Sequence, residues 1–466
     1  MHFRFRSKPL KMRGNGAAPT DPFRIVSWRL FCVRVRGLKN PAKDQGGTVR
    51  TASNREAVSM RRSLLSLGSL AAVAAASPAL AQESPLGPVE VADGVTLDPM
   101  VAARLRYETV DRDDGLDEAE ALTMRLRAGA ELRAGIVSLL AEGEGTLALA
   151  DDYNDTLPFN GIEPFPVVAD PENLELNRLQ LSVMQDGTGA TIGRQRIILD
   201  NARFVGNVGW RQNEQTFDAI RGQASFGPVA LDATYAISQR TIFGVDSPAE
   251  HFDGDFIFLN GGAEIAGVDA KAFAYLIDYN GRLAFSSQTY GLRAAATIDL
   301  PGLFALNAEA SVATQSDYGA NPIDYSASYY SAKLGATVAG FGLTAGYEEL
   351  GSDDGIAAFQ TPMATLHAFN GWADIFLTTP AFGVRDYYVT VGRSFGGIRL
   401  LPGLNANVTY HQFDSDFGNL DLGSEWDASL GFKAGPVSLL VKYANYRADA
   451  FAVDTEKFWL QAEINF

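Results

Sequence analysis

The sequence predicts an all-β protein: a transmembrane, antiparallel, up-and-down β-barrel of about 18 strands, with short periplasmic turns and long extracellular loops. Three observations carry this reading. Polar and apolar residues alternate with period two along most of the chain, short turns alternate with long polar connections, and no stretch after residue 81 is apolar for the ~18 residues a membrane helix needs. Strands are then the only means of crossing a bilayer, and lipid requires that they close on themselves.

The first 59 residues hold thirteen Lys/Arg against three Asp/Glu, together with the only cysteine, Cys32. From Met60 the chain reads MRRSLLSLGSLAAVAAASPALAQES, with a charged start, an apolar run from Leu64 to Ala76 and a small-residue close at Ala79-Leu80-Ala81. That is a secretory signal peptide. Residues 60–81 are therefore expected to be removed, leaving Gln82 as the first mature residue. Residues 1–59 form an upstream extension expected not to be translated or not to be retained. Arg61-Arg62 also fits a twin-arginine signal, but a barrel precursor crosses the inner membrane unfolded and that route serves folded cargo. After residue 81 the chain carries 24 Lys+Arg against 52 Asp+Glu and no cysteine. So acidic a surface repels nucleic acid, which excludes that partner.

Residues 82–94 form a short N-terminal segment, and the barrel is expected over 95–466. In Ala121–Arg133, Thr123, Arg125, Arg127, Glu131 and Arg133 share one face, while Leu122, Met124, Leu126, Ala128, Ala130 and Leu132 share the other. A helix stripe cannot place charge on every second residue. The same pattern returns at Val229–Arg240, Tyr290–Asp299 and Trp426–Lys433. Short turns fall at Ala134-Gly135, Asp186-Gly187, Gly227-Pro228, Ala266-Gly267, Pro301-Gly302, Gly340-Phe341-Gly342, Gly396–Gly403 and Gly435-Pro436. Long polar segments at 111–118, 151–173, 200–214, 242–254, 315–325, 351–384, 414–423 and 448–454 lie between them, the layout of an outer-membrane barrel. The last strand, EKFWLQAEINF, puts Phe458, Leu460, Ala462, Ile464 and Phe466 on one face. It resembles the C-terminal signal read by the outer-membrane assembly machinery, with Phe466 as its terminal aromatic residue.

Signs of catalysis are sparse. His251, His367 and His411 stand singly, without metal-ligand spacing, and G-x-S-x-G, H-E-x-x-H and phosphate-binding glycine loops are missing. No cofactor is expected. The acidic stretches Asp111–Asp114 and Asp414–Asp416 are the only candidates for loop Ca²⁺, and neither has the EF-hand glycine.

Positive charge gathers on the first strands. By strand parity Arg104, Arg106, Arg125, Arg127, Arg133, Arg178, Arg194, Arg196, Arg221 and Arg240 are expected to face the lumen, because an arginine on the lipid face at mid-bilayer costs ~2–4 kcal/mol. Two readings of this row stay open. The guanidinium forks could guide a carboxylated or phosphorylated solute, or lumen carboxylates such as Glu108, Glu131, Glu142, Glu144 and Glu175 could neutralise them.

Two segments, GRQRIILDNARFVGNVGWRQNEQTFDAIR (Gly193–Arg221) and HAFNGWADIFLTTP (His367–Pro380), resemble the alginate-export family of outer-membrane porin-like barrels. The matching positions are Arg194, Arg196, Asp200, Asn201, Arg203, Trp210, Arg211 and Gln212, and then Asn370, Trp372 and Asp374. The resemblance implies an 18-stranded barrel with an arginine-lined lumen, in a family that holds a polyuronate exporter as well as nutrient or general porins. The exporter is occluded by a long periplasmic turn, whereas every periplasmic turn here reads as short. The expectation is thus a passive channel for anionic or sugar-type solutes. An exporter of an anionic polysaccharide such as alginate is the alternative within the class, and an outer-membrane hydrolase the alternative outside it. The loops 200–214 and 351–384 are expected to fold inward, with Asn201, Arg203, Trp210, Arg211, Asn370, Trp372 and Asp374 forming the constriction.

Overall fold

The computed structural model describes residues 86–300, 304–338 and 340–466. The expected upstream extension and signal peptide, and Gln82, lie outside them. The short strand β1 (Val89–Ala92) folds back on β2 (Val95–Arg112). Then β3 (Ala119–Ala134), β4 (Val137–Asp152), β5 (Asn173–Gln185), β6 (Thr188–Gln195), β7 (Thr216–Phe226) and β8 (Val229–Arg240) follow in up-and-down order. The wall continues through β9 (His251–Ile265), β10 (Val268–Tyr279), β11 (Ser287–Leu300), β12 (Phe304–Asp317), β13 (Ser326–Val338) and β14 (Phe341–Leu350). After a small hairpin, β15 (Ser352–Asp353) with β16 (Ala357–Ala358), it is completed by β17 (Val384–Ser394), β18 (Asn405–Asp414), β19 (Asp421–Ala434), β20 (Val437–Ala448) and β21 (Thr455–Asn465). Successive wall strands pair antiparallel, and β21 pairs with β2 in the register Arg104↔Glu463. The result is a closed ring of 18 strands with no free edge.

Alternation decides which face meets lipid. Leu126, Leu147, Ile220, Leu292, Leu334 and Val389 are all exposed, whereas their neighbours Arg125, Arg127 and Thr146 are buried. Exposed aliphatic side chains all round a barrel form the surface a bilayer covers. The short turns use chain chemistry suited to a twisted hairpin. Asp186-Gly187 (φ 50° and 76°) and Ala266-Gly267 (φ 53° and 81°) both take positive φ at the two central positions, as a type I′ turn requires.

Two details differ from the sequence reading. A ninth long connection, 280–286, holds a single 3₁₀ turn at Leu283–Phe285. Phe341 and Gly342 belong to β14 and not to the turn before it.

The inner face holds a larger surprise. Phe256 and Phe258 on β9, and Phe273, Tyr275, Ile277 and Tyr279 on β10, point inward and are buried. Ile197, Leu199, Val205, Phe359 and Met363, from the connections after β6 and β14, complete this cluster, with Phe204 packed against it. One side of the barrel interior is therefore an apolar core and not a polar wall. The signal was present in the run Phe256-Ile257-Phe258-Leu259, which is apolar on both faces and so needs a protein neighbour on the inner side as well as lipid on the outer.

Candidate functional site: two connections inside the barrel

The connections 196–215 and 351–383 both enter the barrel and meet there. Gly206 N–H donates to the Met363 carbonyl at 2.9 Å, Thr365 N–H donates to the Ala202 carbonyl at 3.0 Å, and a parallel bridge joins Val205 to Met363. The backbone is bent sharply to do this. Asp200, Ala202, Val208, Asn370 and Asp374 all have positive φ, which for the β-branched Val208 (φ 51°) is strained. Such strain persists only where the surroundings over-determine it, and it concentrates at functional sites.

Charged anchors supply the over-determination. Arg203 donates from Nε to Glu348 on β14 (2.8 Å), from Nη1 to Thr361 (2.9 Å) and from Nη2 to Asn370 (3.1 Å). Asn370 returns a bond to Glu348 at 2.8 Å. Arg211 pairs with Glu108 on β2 (3.1 Å) and with Asp374 (3.2 Å), and Asp374 also holds Lys457 on β21 at 3.0 Å. From the wall, Arg104 donates to the carbonyls of Gly209, Trp210 and Arg211 at 3.0–3.2 Å. The first connection thus stretches from β6 to β2 on one side and to β14 on the other.

Trp210 and Trp372 frame a cation. The Lys442 ammonium on β20 lies 4.0 Å from the Trp210 ring and 3.6 Å from the Trp372 ring, with Trp459 at 5.4 Å. Arg106 sits 4.0 Å over Trp210, and His367 stacks on that ring at 4.5 Å. His367 Nε2 is 2.7 Å from Lys442 Nζ, and its Nδ1 is 2.8 Å from Asp374. An ammonium can only donate, so Nε2 accepts and Nδ1–H donates to the carboxylate, which assigns the tautomer. Burial, with Lys442 and Arg211 nearby, holds the ring well below the ordinary histidine range against the pull of Asp374. Burial alone would raise the Asp374 carboxyl, but the His367 ring, Lys457 and Arg211 hold it well below the ordinary aspartate range.

The structure also locates the arginine row. Arg104 and Arg125 share Glu463, Arg106 faces Asp170, Arg127 pairs with Glu144 and Glu214, and Arg178 pairs with Glu142. Arg196 is held by Glu214, Arg221 by Asp232 and Arg133 by Glu131. Arg194 and Arg240 depart from the expected inward row. Arg194 stands in register with Leu179 and Asp218, in the outward column of Ile192 and Ile220, where Asp218 (2.8 Å) neutralises it. At Arg240 parity fails because a β-bulge at Ile237 shifts the register. Gln239 turns inward to Gln215 and Tyr279, and Arg240 pairs with Glu175. Every arginine in the row therefore has a carboxylate. Arg203 and Arg211, expected in an open constriction, are 1% and 7% exposed and serve as anchors.

Parity puts Arg293 on the polar face of its strand but does not single out Lys271 and Lys333, which form a second group with it. Below the two connections, Lys271, Arg293 and Lys333 line the inner face with side chains 31%, 14% and 25% exposed, paired with Asp200, Asp269 and Glu309. Asn201 is exposed beside them and donates to Glu309 at 3.3 Å. Only the sparse Lys content of the chain, five after residue 81, could have drawn attention to this rung.

No group of three metal-ligand residues is present among the described residues. Arg112 pairs with Asp114, and Arg385 pairs with Asp416. His411 is turned to Asp386 at 2.9 Å, with its other nitrogen 3.6 Å from Asp427.

Fold and interior together define an 18-stranded outer-membrane-type β-barrel whose connections fold inward. Among solved structures the chain is similar to Acinetobacter baumannii OccAB3, with a TM-score of 0.62 and 12% identity over 79% of this chain and 99% of that one. It is also similar to OccAB4 of the same organism (TM-score 0.61, 14% identity, 82% and 100% covered). A third likeness is to the outer membrane protein opdK from Pseudomonas aeruginosa (TM-score 0.60, 16% identity, 79% and 98% covered). At these identities the likeness establishes the fold. No protein-family model matches the chain, and no curated protein matches it.

Proposed function

We propose that this protein is a porin-like channel of the bacterial outer membrane, inserted by the outer-membrane assembly machinery, that passes anionic or sugar-type solutes passively. One observation carries the reading. A closed barrel brings two long connections into its interior, and below them solvent-accessible ammonium, guanidinium, carboxylate and amide groups line the inward strand faces. Asn201, Arg203, Trp210, Arg211, Asn370, Trp372 and Asp374 would act here as the scaffold of a constriction, with Asn201 reaching the open space. Because each arginine of the inward row is paired with a carboxylate, selection by charge should be modest and salt-sensitive. Reversing Arg203 or Arg211 to Glu would set a second carboxylate against Glu348 or Glu108, and is expected to loosen the connections more than to tune selectivity.

The resemblance of 193–221 and 367–380 to the alginate-export family keeps a polyuronate exporter as the second reading. The observation in its favour is that these two segments bond directly to each other. Planar-bilayer recording tests both. A passive channel gives ohmic conductance with weak ion selectivity, and an exporter is blocked at low concentration by oligouronate added from the short-turn side. Absence of conductance from correctly inserted protein would refute the channel.

A further inference from the structure

A recess of about 410 Å³ opens in the inner wall toward the short-turn end, between β7–β10 and the inward segment Ile198-Leu199-Asp200. Its size falls within the ~300–1,000 Å³ of small-molecule sites. The roof is fastened: Asp200, in positive φ, holds Lys271 Nζ at 2.6 Å. The lining is dense in hydrogen-bonding groups. Arg221 and Asp232 form a pair (2.8 Å) on one side, while Gln223 and Glu264 have no side-chain partner among the described residues. Asn260 accepts from Tyr275 and keeps its amide N–H groups for another acceptor.

The charges decide what fits. Asp200, Asp232, Glu264 and Asp269 stand against Arg221 and Lys271, and both cations are already engaged. A carboxylate or phosphate would enter a net acidic recess. A sugar hydroxyl donates to carboxylates and accepts from amides at once, which is what the open capacity of Gln223, Glu264 and Asn260 offers.

We propose that this recess is a binding subsite for a neutral polyhydroxylated solute of monosaccharide size, at the periplasmic end of the lumen. The proposal rests on the channel reading and narrows it from anionic or sugar-type solutes to sugars at this station. The test is block of ion current through the purified protein in planar bilayers by glucose, with glucuronate as the charged counterpart. Glucose added from the short-turn side should block saturably, and glucuronate should need a higher concentration. Gln223→Leu should raise the half-blocking concentration by about tenfold, the cost of an unpaired hydroxyl in a polar site. Ala230→Trp, which fills the recess from a lining position that itself carries no charge, should abolish the block and leave sugar-free conductance in place. Tighter block by glucuronate, or the same glucose block in both variants, would overturn the subsite. If no protein conducts, the channel reading falls alone. Calorimetry of glucose binding to wild type and Ala230→Trp then decides the subsite, and equal heats would end it.

Discussion

At the residue scale, the Asp374–His367–Lys442 chain is the most exacting arrangement in the molecule. A neutral imidazole bridges an anion and a cation, and three tryptophans surround the ammonium. Each such cation–π contact is worth up to ~2 kcal/mol when water is excluded. Both loop groups titrate in the same sense. His367, held below its ordinary value, contributes stability that is complete above about pH 6.5 and is lost as pH falls through its folded value. Asp374, also depressed, contributes above about pH 4 and loses that contribution as pH falls further. Acidification from pH 7 should therefore loosen the connections as His367 takes up a proton, and further below about pH 4 as Asp374 begins to do so, read as rising current noise in single-channel records. Asp374→Asn should loosen the connections already at pH 7, because it takes the carboxylate from Lys457 and from the His367 ring. An unchanged record across this range would show that the clamp does not hold the connections.

At the scale of elements, the two inward connections are anchored by buried ion pairs, and such pairs show their worth when one partner is removed. Arg203→Met leaves Glu348 buried and uncompensated and should cost ~3–5 kcal/mol, seen as protease cleavage within 351–383 while the barrel stays intact. Arg203→Met with Glu348→Gln should recover much of the loss, because the stranded charge is gone. Equal cleavage of single and double variants would place the anchor elsewhere. This scale also marks the limit of the sequence. Alternation gave the face of Arg125 and Arg127 directly, because a regular strand has period two. It misassigned Arg240, because a bulge inserts one residue without any signature at Ile237. It said nothing of partners such as Glu463 for Arg104, 359 positions away, since only closure of the ring brings them together. Arg203 and Arg211 were legible as special but not as buried, because the sequence does not say which wall a loop will reach.

For the whole molecule, the outer surface is set by lipid and the seam by the last strand. Leu126 lies mid-strand on the exposed face, so Leu126→Arg should destabilise the barrel by ~2–4 kcal/mol in bilayer unfolding titrations. A cost near zero would mean that this face does not meet hydrocarbon. Phe466 exchanges two backbone hydrogen bonds with Val101, at 2.7 and 3.0 Å. Its deletion should lower the amount of inserted protein, and normal levels in outer-membrane fractions would argue against both its sealing and its recognition roles.

The pairing of Glu463 with Arg104 and Arg125 gives this seam a further property. A chain that has laid down every strand but the last still carries two guanidinium groups facing inward without their counter-charge. Each partial barrel is penalised twice, by an open strand edge and by stranded charge. A chain that lacks the last strand is expected to be less stable than the closed ring on both counts.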